Sequence, residues 1–223
     1  TGASMHDMAR TLPGFRHMWG FDSFQGLPAE DADTKVAHKT FNTGGWSPAD
    51  ALQTYNLNDL MTQIEKRIDS PRLTLVPGFY NESLPKLDLN LFHPPGLIDI
   101  DCDLYISSKQ ALEWVFDSGL ACPGMIVRYD DWFGDHRTTA LGFTPGPSNE
   151  MGEKKAHREI TKRYGLTWSL ASRWGSEFQL VSVPPQYSTR CKQASVQHKW
   201  MPSHKSVSPH STQHSSVASW LLG

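Results

Sequence analysis

The sequence predicts an α/β fold built on a mainly parallel β-sheet with an antiparallel edge. Short apolar runs alternate with segments whose apolar residues recur at helical spacing, which is typical of a parallel sheet covered by helices. Several of these runs end in aspartate, and a short turn joins the last two. We expect one domain over residues 1–183 and a low-complexity, disordered tail over residues 184–223, which are rich in Ser, His, Gln and Lys.

The first half of the chain contains three predicted strands. A short helix, SMHDMARTL, comes before the first strand, RHMWGFD, which ends at Asp22. Residues Ser47 to Ile68 predict one helix, because Ser47 suits the N-cap, Pro48 suits the first helical position and apolar residues follow at helical spacing. RLTLVPG is the second predicted strand, and GLIDID is the third, followed by a helix in SSKQALEWVF.

The second half completes the predicted sheet. GMIVRYDD is a fourth strand that ends in two acids, and after a loop from Gly134 to Asn149 a striped helix runs from Met151 to Tyr164. LTWSL and EFQLVSV are joined by a turn containing Gly175, so we expect them to form the antiparallel pair at the sheet edge.

Composition and charge exclude several classes of protein. The chain is 38% hydrophobic and 20% charged, which indicates a globular protein, and its formal net charge of -2 predicts no nucleic-acid partner. No apolar run has the length of a membrane span and no signal peptide is visible, so we expect a cytoplasmic protein without a membrane partner; homo-oligomers are compatible with the sequence.

The cysteines Cys102, Cys122 and Cys191 predict free thiols in a reducing compartment. The chain does not begin with Met, and we interpret it as a fragment.

Acidic residues gather at the predicted strand ends. Asp99, Asp101 and Asp103 alternate in the third strand, where side chains two apart share a face and their charges repel. Asp130 and Asp131 end the fourth strand. Because ligands bind at the carboxyl edge of open α/β sheets, we expect these acids to form one site.

A divalent cation would explain this cluster. Asp101, Asp130 and Asp131 offer the oxygen ligands that Mg²⁺ or Mn²⁺ prefers, and Asp103 could act as general base toward a substrate hydroxyl. The alternative is that each acid only caps a turn or helix. Asp22, at the end of an earlier strand, suits the ribose hydroxyls of a nucleotide-like cofactor, although a plain turn residue would account for it equally well.

Five motifs resemble the macrocin O-methyltransferase family of class I S-adenosylmethionine-dependent methyltransferases. They are GFDSFQGLP from Gly20, VPGFYNESLP from Val76, IDCDLYISSKQAL from Ile100, YDDWFG from Tyr129 and GEKKAHREI from Gly152. They occur in family order over residues 1–183.

The resemblance implies a Rossmann-like methyltransferase sheet with the methyl donor, S-adenosylmethionine, lying over the strand ends. It implies that Asp22, with its neighbour Ser23, holds the donor's ribose and that Gly2 belongs to a glycine-rich turn. Asp101, Asp130 and Asp131 would bind Mg²⁺ or another divalent cation. Asp103 would take the proton of a hydroxyl on a small-molecule acceptor, for which a sugar is one candidate.

The sequence departs from the family pattern in three places. The first strand and most of the glycine-rich turn are missing, Asp99 stands where relatives often have His, and the Gly134–Asn149 loop, which would shape the acceptor pocket, is long. Two alternatives stay open: a haloacid dehalogenase-like, Mg²⁺-dependent phosphatase with a DxD nucleophile strand, and a catalytically inactive methyltransferase-fold binding module.

Overall fold

A computed structural model of the chain describes residues 1–12, 14–34, 41–132, 151–173, 175–191 and 218–222. Helices and strands alternate over most of this length. The helices are α1 (Ala3–Thr11), α2 (Pro48–Leu52), α3 (Leu57–Ile68), α4 (Tyr80–Ser83), α5 (Tyr105–Asp117) and α6 (Gly152–Tyr164). The strands are β1 (Met18–Asp22), β2 (Leu73–Pro77), β3 (Leu97–Asp101), β4 (Ile126–Tyr129), β5 (Thr167–Leu170), β6 (Glu177–Ser182) and β7 (Ala218–Leu222).

The described strands form one sheet in the order β2-β1-β7-β3-β4-β6-β5. β1 pairs with β2 and β3 pairs with β4 in parallel, whereas β7 is antiparallel to both β1 and β3. At the other edge, β6 is antiparallel to β4 and to β5. Five of these seven strands therefore run in one direction, and the predicted mainly parallel sheet with an antiparallel edge is confirmed.

The structure describes two parts of residues 184–223, the region predicted to be a disordered tail, and the disorder of the rest stays a prediction. Pro185–Tyr187 form a short 3-10 turn, and Ala218–Leu222 form β7 inside the sheet. β7 satisfies the backbone groups of β1 and β3 that face one another, which an unpaired gap between two buried strands would leave without partners. The domain boundary at residue 183 stays a prediction.

The prediction of three free thiols is wrong. Cys122 and Cys191 form a disulfide, while Cys102 is free and buried. The two bonded residues are separated by 69 positions, a distance at which sequence spacing alone does not predict a pairing. The bond ties the chain after Pro185–Tyr187 to the turn before β4.

The helix predicted from Ser47 to Ile68 is two helices. Ser47 is the N-cap of α2, as predicted, and accepts a hydrogen bond from the Asp50 N–H at 3.4 Å. The chain then turns at Gln53, whose φ is 51°, and Asn56 caps α3 by accepting from the Asp59 N–H at 3.1 Å. Asn56 offers its side chain in place of a helical backbone partner, and a new helix starts there.

Helices cover both faces of the sheet, so β3 is buried on both sides. On one face α5 and α6 pack together, with the Phe116 and Tyr164 rings stacked at 5.0 Å between centroids. On the other face α1 and α3 bury Met5, Leu60 and Ile64. Because both faces are covered, the side chains of β3 from Ile98 to Asp101 are all buried, acids included. The strand ends are left as the place where polar groups can reach a ligand.

None of the described helices combines the length and the apolar character that crossing a bilayer requires.

Candidate active site

The ends of β3 and β4 bring three carboxylates together. Asp101, Asp130 and Asp131 each offer one oxygen, and these three atoms lie within 4.8 Å of one another. The Asp130 N–H donates to the Ile100 carbonyl at 3.0 Å, which continues the β3–β4 ladder by one residue and fixes the acids of β4 beside that of β3. Asp101 is buried and Asp130 is exposed, so the cluster opens toward solvent on one side. That spacing suits oxygen ligands around a single cation.

Asp103 follows on a tight turn that points its carboxyl group back toward Asp131. Its φ is 56°, in the left-handed region that few residues other than glycine adopt, and the Leu104 N–H donates to the Cys102 carbonyl as in a γ-turn. The side chains of Asp103 and Asp131 share a hydrogen bond. Burial, and then the charge of Asp131, raise the pKa of Asp103 well above its usual range. Backbone strain of this kind is concentrated at functional sites.

Asp101 is repelled by four neighbouring carboxylates. Burial raises the pKa of this carboxyl well above its ordinary value, and the charges of Asp130, Asp99, Asp131 and Asp103 raise it further. Four carboxylates converge on one buried acid, which is costly unless a proton or a cation offsets them. A divalent cation inverts this balance by favouring the ionised forms, so the residues present fit such an ion.

The negative charge of Asp99 is offset by Arg128. Its two oxygens accept hydrogen bonds from Arg128 at 2.5 and 2.6 Å, and the two residues face one another across the β3–β4 ladder. The Asp99 side chain is fully buried, whereas 36% of the Arg128 side chain is exposed. The bidentate guanidinium therefore supplies a positive charge directly behind Asp101 and Asp130.

Glu153 belongs to the same cluster, although the sequence did not single it out. It lies in the first turn of α6, is 1% exposed, and accepts the Asp131 N–H through Oε2 at 3.0 Å. Burial, followed by the charges of Asp131, Asp103 and Asp130, raises its pKa well above the usual range. The one sequence signal was its place in the GEKKAHREI motif, where the acid reads as a helix-start residue.

Asp22 lies at the same edge of the sheet, at the end of β1. Through β7 the register places Phe21 of β1 level with Ile100 of β3, so Asp22 and Asp101 stand two strand spacings, or about 10 Å, apart. Asp22 Oδ1 accepts the Phe24 N–H at 2.7 Å. Burial raises the pKa of this carboxyl to about 7 although the hydrogen bond opposes the shift. Asp22 and the acids of β3 and β4 therefore lie along one edge of the sheet, on either side of β7.

Ser23 and Gly26 set the path of the loop after β1. Ser23 Oγ donates to the Gly26 carbonyl at 2.8 Å and accepts the Gln25 N–H at 3.0 Å. Gly26 has a φ of 87°, and a Cβ there would come within 2.4 Å of the Gly44 carbonyl oxygen. The loop can take this path only with glycine at position 26.

A cavity of about 140 Å³ opens beside this loop, between the ends of β1 and β2 and the start of α5. A space of this size accommodates one aromatic ring. Its walls combine apolar groups with side-chain amide and hydroxyl groups that could orient a heteroaromatic ligand. Its lining includes Ser23, Phe79, Asn81, Ile106, Ser107 and Gln110.

Gly2 lies against α3. It caps α1 with a φ of 77°, and a Cβ at this position would come within 2.9 Å of Ile64 Cγ2. The packing of α1 on α3 is therefore enough to require a glycine here, and a role of Gly2 toward a cofactor stays a prediction. The loop from Gly134 to Asn149 lies outside the described residues.

Solved structures identify the fold as that of a methyltransferase. The structure of the O-methyltransferase NovP is similar, with a TM-score of 0.50 and 18% sequence identity, over 80% of this chain and 66% of that chain. This chain therefore spans just under two thirds of the length of NovP. No curated protein matches the sequence.

The sequence model of the macrocin-O-methyltransferase (TylF) family matches residues 5–140, which is more than half of the chain. The chain belongs to this family. The matched range contains Asp22, Asp101, Asp103 and the Asp130–Asp131 pair, whereas Glu153 lies beyond it.

Proposed function

We propose that this protein is an S-adenosylmethionine-dependent O-methyltransferase that uses a divalent cation and methylates a hydroxyl group of a small molecule. The observation that carries the proposal is the convergence of Asp101, Asp130 and Asp131 within 4.8 Å, with Asp103 hydrogen-bonded to Asp131. Family membership supports methyl transfer as the reaction.

The donor would lie over the carboxyl ends of β1 and β3. Asp22 is suited to accept the ribose hydroxyls, because its Oδ1 is fixed by the Phe24 N–H and its carboxyl group is buried. The cavity beside Ser23 would receive one ring of the donor's purine base, with Phe79 and Ile106 supplying apolar contacts and Gln110 an amide. The donor could span the separation of about 10 Å between Asp22 and Asp101, with its ribose at Asp22 and its sulfonium end toward the acids.

The acids would prepare the acceptor. Asp101, Asp130 and Asp131 would hold the cation, which when bound lowers the pKa of a hydroxyl group beside it. Asp103 would take the hydroxyl proton, because its carboxyl group lies beside the cation ligands and is hydrogen-bonded to Asp131. Methyl transfer is an in-line displacement, so holding the acceptor oxygen against the methyl group supplies most of the acceleration.

Arg128 would keep the apo site folded. Its contact with Asp99 offsets one of the converging charges and leaves the oxygens of Asp101 and Asp130 available. No specific observation favours the phosphatase, and the intact set of acids argues against an inactive module. The alternatives are therefore kept only as outcomes of the test.

The test is transfer of the labelled methyl group from methyl-tritiated S-adenosylmethionine to a panel of hydroxyl-bearing small molecules, sugars and glycosides included. We expect transfer that EDTA abolishes and Mg²⁺ restores. Asp103→Asn should reduce the rate at least about 100-fold, the contribution typical of a general base. Asp31→Asn, which removes an exposed carboxylate, is the matched control. Equal rates for Asp103→Asn and the parent protein would refute the role of the base, and phosphate release from a phosphatase substrate would favour the alternative enzyme.

A further inference from the structure

Glu153 is a buried acid to which the proposed reaction assigns no part. Its Oε1 is fully enclosed and has no hydrogen-bond partner among the described residues, while Oε2 is held by the Asp131 N–H at 3.0 Å. A buried carboxylate oxygen without a partner carries a desolvation cost that nothing around it repays. Its burial therefore requires a further explanation.

The neighbouring charges raise the free-energy cost of burying the Glu153 carboxylate. The charges that act on Glu153 are those of Asp131, Asp103 and Asp130, all of them negative. The charge of Glu153 also acts on the buried Tyr129, whose hydroxyl is hydrogen-bonded to His157 Nδ1 at 3.0 Å. A helix-start acid gains a modest benefit from the helix dipole, but it obtains that benefit while exposed to solvent and does not need burial beside three acids. The arrangement is favourable once a cation lies among the carboxylates.

We propose that Glu153 is a fourth carboxylate of the cation centre, which strengthens divalent cation binding through its charge while its Oε2 orients Asp131. The inference rests on the cation centre of the proposed function and does not depend on methyl transfer. Groups that orient metal ligands typically change metal affinity 10- to 100-fold when they are removed. Glu153 combines such an orienting contact with a charge of its own.

Glu153→Gln separates the two contributions. Glutamine keeps an oxygen that can accept the Asp131 N–H, but it lacks the charge. The experiment measures Mn²⁺ binding to the full chain by the electron paramagnetic resonance signal of the free ion, together with the melting temperature without metal. Glu65→Gln, which removes one charge from the exposed face of α3, is the matched control.

The expected result has two parts. Glu153→Gln binds Mn²⁺ at least about tenfold more weakly than the parent protein, and without metal it melts at the same temperature or higher, because repulsion among the acids is relieved. Glu65→Gln leaves Mn²⁺ affinity unchanged. A folded Glu153→Gln protein with the parent affinity would overturn the inference, as would a lower melting temperature without any change in affinity, which is the result of a purely structural role.

Two further outcomes keep the inference apart from the proposed function. A parent protein that transfers methyl groups but binds no Mn²⁺ would refute the cation centre and this inference together, and would leave methyl transfer standing.

If Glu153→Gln does not fold, Glu153→Asp is compared with Glu153→Ala. Both shorten the side chain and only Asp keeps the charge, so equal Mn²⁺ affinities for the two would contradict the inference.

Discussion

Asp22→Asn should make the protein more stable at neutral and alkaline pH, with a difference from the parent that vanishes in acid. Burial raises the pKa of Asp22 from 3.8 to about 7. The folded state therefore favours the protonated carboxyl, whose contribution to stability is fully present below pH 4 and is lost as the pH rises through 7. Asparagine keeps an oxygen for the Phe24 N–H and carries no charge, so its stability does not fall over this range.

The size of the effect follows from the shift. About three pKa units at 1.36 kcal/mol per unit give a difference of about 4 kcal/mol at pH 8. The assay is urea denaturation followed by circular dichroism at unit steps from pH 4 to pH 8, with the exposed Asp31→Asn as control. Parallel pH profiles for Asp22→Asn and the parent would refute the reasoning. A stabilised variant that no longer binds the donor would show that the buried acid is kept for binding.

Three further predictions concern the framework around the site. Arg128→Gln should lower the free energy of unfolding in urea by about 3 kcal/mol, because it leaves the buried Asp99 charge without its partner. Dithiothreitol or Cys191→Ser should cost about 4 kcal/mol of stability, since the bond to Cys122 closes a loop across 69 positions. Gly26→Ala should lower the melting temperature and weaken binding of S-adenosylhomocysteine, because the added Cβ meets backbone in a loop that lines the cavity.

Each of these predictions has a control on the same chain. Asp99→Asn should recover most of the stability that Arg128→Gln loses, and additive losses in the double variant would contradict the pairing. Dithiothreitol should not change the stability of Cys191→Ser. If dithiothreitol does not lower the stability of the parent protein either, the disulfide bond contributes nothing to stability. Gly124 has a φ of 97°, but a Cβ added there would meet no atom within 4 Å. Gly124→Ala should therefore lower the melting temperature less than Gly26→Ala does, and it should leave donor binding intact.

Local patterns were enough to predict the parallel part of the fold. The strand ending in Asp22 is a short apolar run, and the strand containing Asp101 is apolar apart from its aspartates, so their positions follow from composition and length. The break between α2 and α3 was missed because the apolar residues at helical spacing begin only at Leu57, and nothing in the residues before Asn56 marks them as a separate helix. Helical periodicity alone does not reveal such a cap.

The features that sequence reasoning missed depend on distant residues. β7 finds its place between β1 and β3 from the far end of the chain, where only the short apolar run ASWLL distinguishes it from the polar residues before it. The Cys122–Cys191 bond and the Asp131–Glu153 contact likewise join elements far apart in sequence. Asp99 was expected to add a charge near the cation, and its pairing with Arg128 became visible only through the β3–β4 register.

Binding of the methyl donor at the sheet edge is tested by a calorimetric titration of S-adenosylhomocysteine into the full chain, with and without Mg²⁺. We expect one binding site per chain. Asp22→Ala should bind at least about tenfold more weakly, which is a loss of about 1.4 kcal/mol of binding free energy or more. Asp31→Asn should bind with unchanged affinity. Absence of binding heat in both conditions, or equal affinity for Asp22→Ala and the parent, would contradict the assignment of the methyl donor to the sheet edge that carries Asp22 and Asp101.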